Sequence, residues 1–336
     1  AITFTKKAAS EMRDRINALL GDISRGIWIG TFHHVCVRIL RANATRLGFS
    51  ENFSIYDTDD TRRLISSILD ELNISSKVYT PNSVRARISS YKNSLIVPGN
   101  VDIQSPVDEV AVKVYKIYQK RLRELNAMDF DDLLMYTYLL FKQNQDILAL
   151  YQQRFTHILV DEYQDTNKAQ FKIVAMLAAP QNNLMVVGDD DQSIYSWRGA
   201  DISNILNFEH LYPDAKVVKL EQNYRSTGNI LEAANNVIKH NIERKAKKLF
   251  TQSEPGEKIG IYNASDNFDE GRWLASEIEK YHKRGINYSD IAIFYRTNAQ
   301  SRSLEDMLLR AGVPYTIVGG VKFFERAEIR NLLAYL

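Results

Sequence analysis

A single cysteine, Cys36, stands in the 336 residues, so no internal disulfide can form. That favours a reducing compartment, the cytoplasm, over an oxidising one. No apolar run approaches the roughly 18 residues that a membrane span needs. Ile173–Ala179, among the longest, reads as part of a buried helix. The chain opens on the strand-like AITFT, without a basic and then apolar leader, so a signal peptide is not expected. An excess of one charge is missing too: 43 basic against 41 acidic residues leave +2. A surface for a polyanion would have to be a local patch. The densest basic run is Arg244, Lys245, Lys247 and Lys248, and by itself it reads as a solvated helix face. There is no internal repeat, no low-complexity stretch and no G-x-x-x-x-G-K-[ST] phosphate loop.

What is present describes an ordinary globular chain, 45% hydrophobic and 25% charged, long enough for two or more domains. Ala1–Thr5 and Trp28–Thr31 read as strands, followed by helices over Lys7–Leu20 and Phe32–Arg46. From Leu47 to Ala127 helical periodicity dominates (Thr61–Leu72, Pro81–Asn93, Val107–Leu125) and strand signals nearly vanish. Alternation then returns: helix Asp129–Phe141, strand His157–Val160, helix Lys168–Ala178, strand Leu184–Gly188 and strand Lys216–Leu220. A second alternation runs through helix Thr227–His240, strand Lys258–Tyr262, helix Asp269–Arg284, strand Asp290–Tyr295, helix Ser301–Ala311 and strand Tyr315–Val318. Two α/β units with parallel sheets are expected, the first interrupted by an all-helical insertion. Both termini fall in mid-pattern, a strand at the start and the amphipathic EIRNLLAYL at the end, so a fragment is expected.

The strongest chemical signal is ILVDEYQDTN, Ile158–Asn167. An apolar strand there delivers Asp161 and Glu162 at its carboxyl end, where open α/β sheets bind ligands. Such a pair suits Mg²⁺-nucleotide chemistry, with Asp161 holding the ion through water and Glu162 polarising an attacking water. A solvated strand end is the plainer reading, and the dipeptide alone leaves both open. Gln192, after the next strand, carries an amide that accepts from water and donates to a phosphate oxygen. The three aspartates before it, Asp189 to Asp191, read as a solvated turn, with completion of the Mg²⁺ surroundings as the alternative. Tyr195, Trp197 and Arg198 suit a stacking platform for unpaired bases, and they fit a buried strand face equally well. In MDFDDLL, Met128–Leu134, the acids read as an N-cap and first-turn charges rather than as catalysts.

Taken together the strings resemble superfamily 1 DNA helicases of the UvrD/PcrA/Rep type. DEYQDTN resembles their extended Walker B string, VVGDDDQSIYSWRGA (Val186–Ala200) their motif III and LEQNYRS (Leu220–Ser226) their motif IV. TFTKKAA (Thr3–Ala9) and GTFHH (Gly30–His34) match motif Ia and the TFH motif. FYRTNAQSR (Phe294–Arg302) and VGGVKFFERAEI (Val318–Ile329) match motifs of the second motor domain. They occur in family order along essentially the whole chain.

The resemblance implies RecA-like P-loop NTPase motor domains. Residues 1–46 and 128–221 would form the first, 47–127 its helical insertion, and 222–336 an incomplete second. It implies an ATP-dependent, Mg²⁺-requiring 3′ to 5′ helicase acting on single-stranded DNA and single-strand/duplex junctions in repair or replication. Partners among repair or replication proteins are implied; a membrane is not. Asp161, Glu162, Gln192 and Arg225 would be catalytic, Arg225 as an arginine finger. Tyr224, Gln192 and Arg225 would bind ATP in a cleft between the motor domains. Phe4, Thr31, Phe32, His33, Tyr195, Trp197, Arg198, Arg296 and Asn298 would contact DNA. The phosphate loop lies just upstream of motif Ia in the family, so the 336-residue chain alone is expected to bind ATP weakly and not to turn it over. Two alternatives stand beside this: the helicase part of a RecB- or AddA-like helicase-nuclease, and a non-catalytic DNA-binding module derived from a helicase.

Overall fold

The computed structural model describes residues 1–318 except 243 and 246, and only the backbone of residues 23 and 25. The matched string Val318–Ile329, apart from Val318, and the closing EIRNLLAYL lie outside the described residues. The fold is mixed α/β with parallel sheets. Two compact units divide it: Ala1–Arg225 with Leu231–Gln252, and Ser226–Ile230 with Ser253–Leu336.

In the first unit four short strands form one parallel sheet in the order β2-β1-β5-β6. They are β1 (Ile2–Thr3), β2 (Gly30–Thr31), β5 (Ile158–Val160) and β6 (Leu184–Val186). Helix α1 (Lys6–Leu20) connects β1 to β2, and α8 (Lys168–Ala178) connects β5 to β6. The two connections leave in opposite directions from the central β1–β5 pair, so strand order reverses there. That reversal opens a crevice at the carboxyl ends of β1 and β5.

Capping side chains set the helix starts. Thr5 accepts from the Ala8 amide at α1, and Thr31 from the His34 amide at α2 (Phe32–Asn43). At α8, Asn167 and Gln170 form a reciprocal capping box. The core beneath the sheet comes from α2, α6 (Phe130–Gln143), α7 (Gln145–Arg154) and α8, through Ile39, Leu40, Leu140, Phe141, Tyr151 and Val174. Helix α7 was not anticipated, because Gln152, Gln153 and Arg154 blur its apolar period.

Between β2 and β5 the chain builds a helical block of α3 (Thr58–Glu71), α4 (Pro81–Asn93) and α5 (Pro106–Glu124). It has its own core of Ile65, Leu69, Ile88, Tyr115 and Tyr118. A parallel pair, β3 (Ser54–Tyr56) with β4 (Ala127–Asp129), closes the base of this block. Strand signals are weak here because each strand is three residues long.

The acids of MDFDDLL do more than cap. Asp129 and Asp132 form the capping box of α6, and both also pair with Lys92 of α4 at 2.7 and 2.8 Å. The Lys92 side chain is 0% exposed. Tyr118 donates to Asp129 at 2.8 Å and Gln119 donates to Asp132 at 3.0 Å. Burial works against the Lys92 charge, yet the two carboxylates outweigh it and raise its pKa well above the ordinary value. Asp129 sits below the usual carboxylate range because Lys92 outweighs its burial. Burial and then the Asp129 charge push Asp132 up to about 7.

The second unit packs α12 (Asn267–Lys283) against α13 (Ser301–Arg310) around Ile278, Leu308 and Val313. Along the chain, α11 (Gly228–Ile238) is preceded by the single-turn α9 (Ser203–Leu206) and α10 (Phe208–Leu211). The strands expected at 216–220, 258–262, 290–295 and 315–318 carry no ladder pairing among the described residues. Val218, Leu220, Ile261, Phe294 and Val318 are exposed instead. Alternation marks a stretch that suits a pleat, but a strand exists only where a neighbour accepts and donates along it. The second parallel sheet that the alternation predicts is therefore not seen among the described residues.

Replacing Lys92 leaves two buried carboxylates without their cation. Lys92→Met is expected to lower the unfolding free energy by about 3–5 kcal/mol, read by urea titration. Asp132 binds its proton more tightly folded than unfolded. Its share of stability is full below the unfolded value near 3.8 and is lost as pH rises through about 7. Wild type should lose stability relative to Asp132→Asn across that window, and a flat difference contradicts the burial argument.

Candidate nucleotide site and base platform

The site begins where β5 ends. The Asp161 amide donates to the Ile2 carbonyl of β1, and the Thr3 hydroxyl reaches the Asp161 carboxylate at 3.4 Å. Asp161 thus faces the crevice where strand order reverses. Glu162 follows with φ 51° and ψ 42°, a left-handed conformation that costs a residue with a Cβ. Such backbone persists only where neighbours over-determine it. Here the Glu162 carbonyl accepts from the Asp165 amide, starting a short 3-10 turn over Tyr163–Asp165.

Two buried side chains brace the turn. Tyr163 packs edge-on against Phe208 with ring centroids 5.7 Å apart. Gln164 donates from Nε2 to the Glu162 carboxylate at 2.8 Å and accepts at Oε1 from the Asp189 amide at 3.0 Å. Asp165 is pushed up to about 6, first by burial and then by the Glu162 charge.

Pairing of β6 with β5 brings the next loop alongside. The Val187 amide donates to the Val160 carbonyl, and the Tyr163 amide to the Val187 carbonyl. Gly188 lies so close that a Cβ there would stand 2.5 Å from Gln164 Oε1 and 2.8 Å from the Ile205 methyl. Only glycine admits that approach. The 3-10 turn Asp190–Gln192 follows, with Asp189 as its cap. Gln192 is exposed, and its amide donates to Asp189 Oδ2 at 2.8 Å.

The three aspartates are not merely solvated, and the basic run is not a helix face. Carboxylate oxygens of Asp189, Asp190 and Asp191 lie within 4.8 Å of one another. Lys247 sits among them, paired with Asp189, with Asp190 at 2.9 Å and with Asp191 at 3.4 Å. Arg244 pairs with Asp191 at 2.7 Å, and Lys245 pairs with Glu209. Asp190 is held below the usual carboxylate range, the Lys247 bond outweighing its partial burial. Three crowded negative charges need a counter-charge, and the sequence supplies it more than 50 residues later. Separation along the chain hid that pairing.

Three residues past Gln192 the same segment presents its aromatics to solvent. Trp197 is 72% exposed, and its ring centroid lies 6.4 Å from that of Tyr195. The Arg198 guanidinium lies over both rings, at 4.6 and 5.3 Å. A buried strand face is thereby excluded.

The other expected contact residues are spread more widely. Phe4 is half-buried and meets Phe32 edge-on at 5.7 Å. Phe32 is a core residue, 3% exposed, so its ring is not presented to a ligand. Thr31 caps α2, and His33 packs edge-on against Phe130. Burial lowers the His33 pKa below its ordinary value. Tyr224 is 82% exposed, its hydroxyl donating to Gln222 at 3.0 Å. Arg225 is exposed, and its guanidinium carries no ion pair among the described residues. In the second unit, Gln300 Oε1 accepts from the Arg296 and Thr297 amides, and the Asn298 carbonyl accepts from Ser301. That turn is a helix-capping structure with the Arg296 side chain outside it.

Family models decide the lineage. The UvrD/REP helicase N-terminal domain matches residues 1–213 and the UvrD-like helicase C-terminal domain matches residues 218–336. The chain belongs to the UvrD/REP helicase family. The ATP-dependent DNA helicase PcrA of Bacillus subtilis is 52% identical over 339 residues, covering 100% of this chain and 46% of that protein. The proteins of the same name from Staphylococcus epidermidis and Staphylococcus aureus are 51% and 50% identical, with the same coverage. The chain therefore spans about half the length of the curated relatives it matches. Within this UvrD/REP chain, Gln164 and the Lys247 pairing are the site features that motif reading passed over. Gln164 was within reach of it, two residues beyond Glu162 in the same string.

Removing the central ammonium exposes the repulsion it offsets. Lys247→Met is expected to cost about 1 kcal/mol of stability at low salt. The loss should shrink in 1 M salt, where screening falls to about 3 Å. Thermal melts at two salt concentrations read both, and a salt-independent loss contradicts the electrostatic account.

Proposed function

We propose that the chain supplies working parts of an ATP-driven motor that moves along single-stranded DNA and unwinds duplex. Residues 1–46 and 128–221 belong to the first motor domain, 47–127 to its insertion and 222–336 to the second. One observation carries this reading. A single segment, Asp189–Arg198, holds an amide on Asp189, which Gln164 ties to Glu162 after β5, and, five residues on, an exposed indole beside a guanidinium. Whatever moves Gln192 also moves the base platform.

The donors suit a hard cation. Mg²⁺ takes oxygen ligands and keeps much of its water, and Asp161 with the Thr3 hydroxyl offers such an all-oxygen setting. The Asp189–Asp191 cluster is less suited, since Lys247 and Arg244 already supply its counter-charge. Bound Mg²⁺-ATP supplies the transferable phosphoryl group. Glu162 takes a proton from the attacking water, and Gln192 donates to a terminal phosphate oxygen. Tyr224 stacks on adenine, and Arg225 stabilises charge on the phosphoryl group. Tyr195, Trp197 and Arg198 stack on bases, with Phe4 completing the base pocket. Thr31, the backbone at Phe32, and His33 hold phosphates, and Arg296 and Asn298 grip the strand from the second domain. The reading places the protein with DNA in the cytoplasm. No helix among the described residues is long and apolar enough to cross a membrane.

The base platform and the proposed catalytic base are both testable in the full-length protein. Trp197→Ala is expected to weaken DNA-stimulated ATPase and unwinding while leaving the melting temperature unchanged. Its stacking loss should be about 1–3 kcal/mol per base, and wild-type unwinding rejects the platform. Glu162→Gln is expected to abolish turnover and keep nucleotide binding. A variant still hydrolysing ATP removes Glu162 as the base.

A further inference from the structure

The geometry points to Gln164 as a positioning residue that ties the proposed base Glu162 to the turn bearing Gln192. Its side chain is buried, and both ends of its amide are used. Nε2 donates to Glu162 Oε2 at 2.8 Å; Oε1 accepts from the Asp189 amide at 3.0 Å. The assignment of oxygen and nitrogen follows from the partners: a backbone N–H only donates, and an ionised carboxylate only accepts. Asparagine, the other side-chain amide, is one carbon too short to reach both partners. The Gln164 carbonyl adds a further contact, accepting from the Ser193 hydroxyl at 3.5 Å.

The bonds continue on both sides. Asp189 accepts from the Gln192 amide at 2.8 Å, so an unbroken hydrogen-bonded series runs Glu162–Gln164–Asp189–Gln192. Glu162 is meanwhile held in left-handed backbone, which fixes where its side chain departs. Glycine at 188 admits the Gln164 oxygen to the second loop. Three independent features, a strained residue, a close approach and a buried bifunctional amide, converge on one alignment. A displacement of Gln192 on meeting a terminal phosphate is passed through Asp189 and Gln164 to the carboxylate that must take the proton. In the full protein this makes the orientation of the base depend on the occupancy of the phosphate site. The inference rests on the catalytic role proposed for Glu162.

Two near-isosteric variants of the full-length protein separate the arms. Gln164→Met loses both bonds. Gln164→Glu, followed from about pH 7 to pH 10 because burial beside Glu162 raises a carboxyl's pKa, keeps an acceptor for the Asp189 amide and, once ionised, loses the donor to Glu162. Gln164→Met is expected to lower kcat about 10- to 100-fold, the range for a misplaced catalytic group, and to raise KM for ATP as the Gln192 turn loosens. Gln164→Glu is expected to recover the wild-type KM and not the kcat. Turnover by Gln164→Glu within about twofold of wild type overturns the inference, as does a parallel fall of kcat, affinity and melting temperature in both variants. Glu162→Gln, run alongside, keeps the two claims apart. If it still turns over, the reading of Glu162 fails; if it is dead while Gln164→Glu is unimpaired, only the role of Gln164 fails.

Discussion

Three residues of β5 lie in register with three of β6: Ile158 with Leu184, Leu159 with Met185, Val160 with Val186. Everything chemical in the first unit depends on that parallel pairing. Parallel strands send their carboxyl ends the same way, so the loops that follow them emerge side by side. The pairing does not stop at the last ladder bond. It continues through the Val187, Tyr163 and Asp189 amides, the last of which is received by a side chain instead of a backbone carbonyl. Gln164 thus acts as an extra rung between two loops. The order reversal beside β1 then leaves Asp161 facing open space rather than another strand.

The arrangement keeps its charges close while satisfying most of them internally. Three aspartates that would repel one another are held by Lys247 and Arg244. Deeper in, Lys92 joins the helical block to α6 through two carboxylates, an interaction whose value lies in geometry more than in net stability. Asp161, Glu162 and Arg225 form no ion pair among the described residues. That contrast separates charges used to build the fold from charges left available to a ligand.

Much of this was legible in the sequence. The helices over Pro81–Asn93 and Lys168–Ala178 were read at their observed bounds, because proline at the first helical position and an asparagine cap mark such starts. DEYQDTN and QSIYSWRGA mark the two neighbouring loops, since the residues of each loop are contiguous in the chain. What escaped was written at long range. Lys92 looks like any surface lysine until Asp129 and Asp132 fold beside it, and Lys247 until Asp189 does. The strands expected at 258–262 and 290–295 find no pairing among the described residues for the converse reason: alternation is local, whereas pairing needs a neighbour. Phe32 was assigned to the DNA track from its motif, yet the 3.6-residue period of α2 with Val35, Cys36 and Ile39 turns its ring into the core.

The most direct measurement is a crystal structure of the full-length protein with Mg²⁺ and a non-hydrolysable ATP analogue. The account predicts the terminal phosphate beside the Gln192 amide, and a water within about 3 Å of Glu162 in line with the bond to be broken. Nucleotide bound elsewhere, with Glu162 and Gln192 both facing bulk solvent, contradicts it.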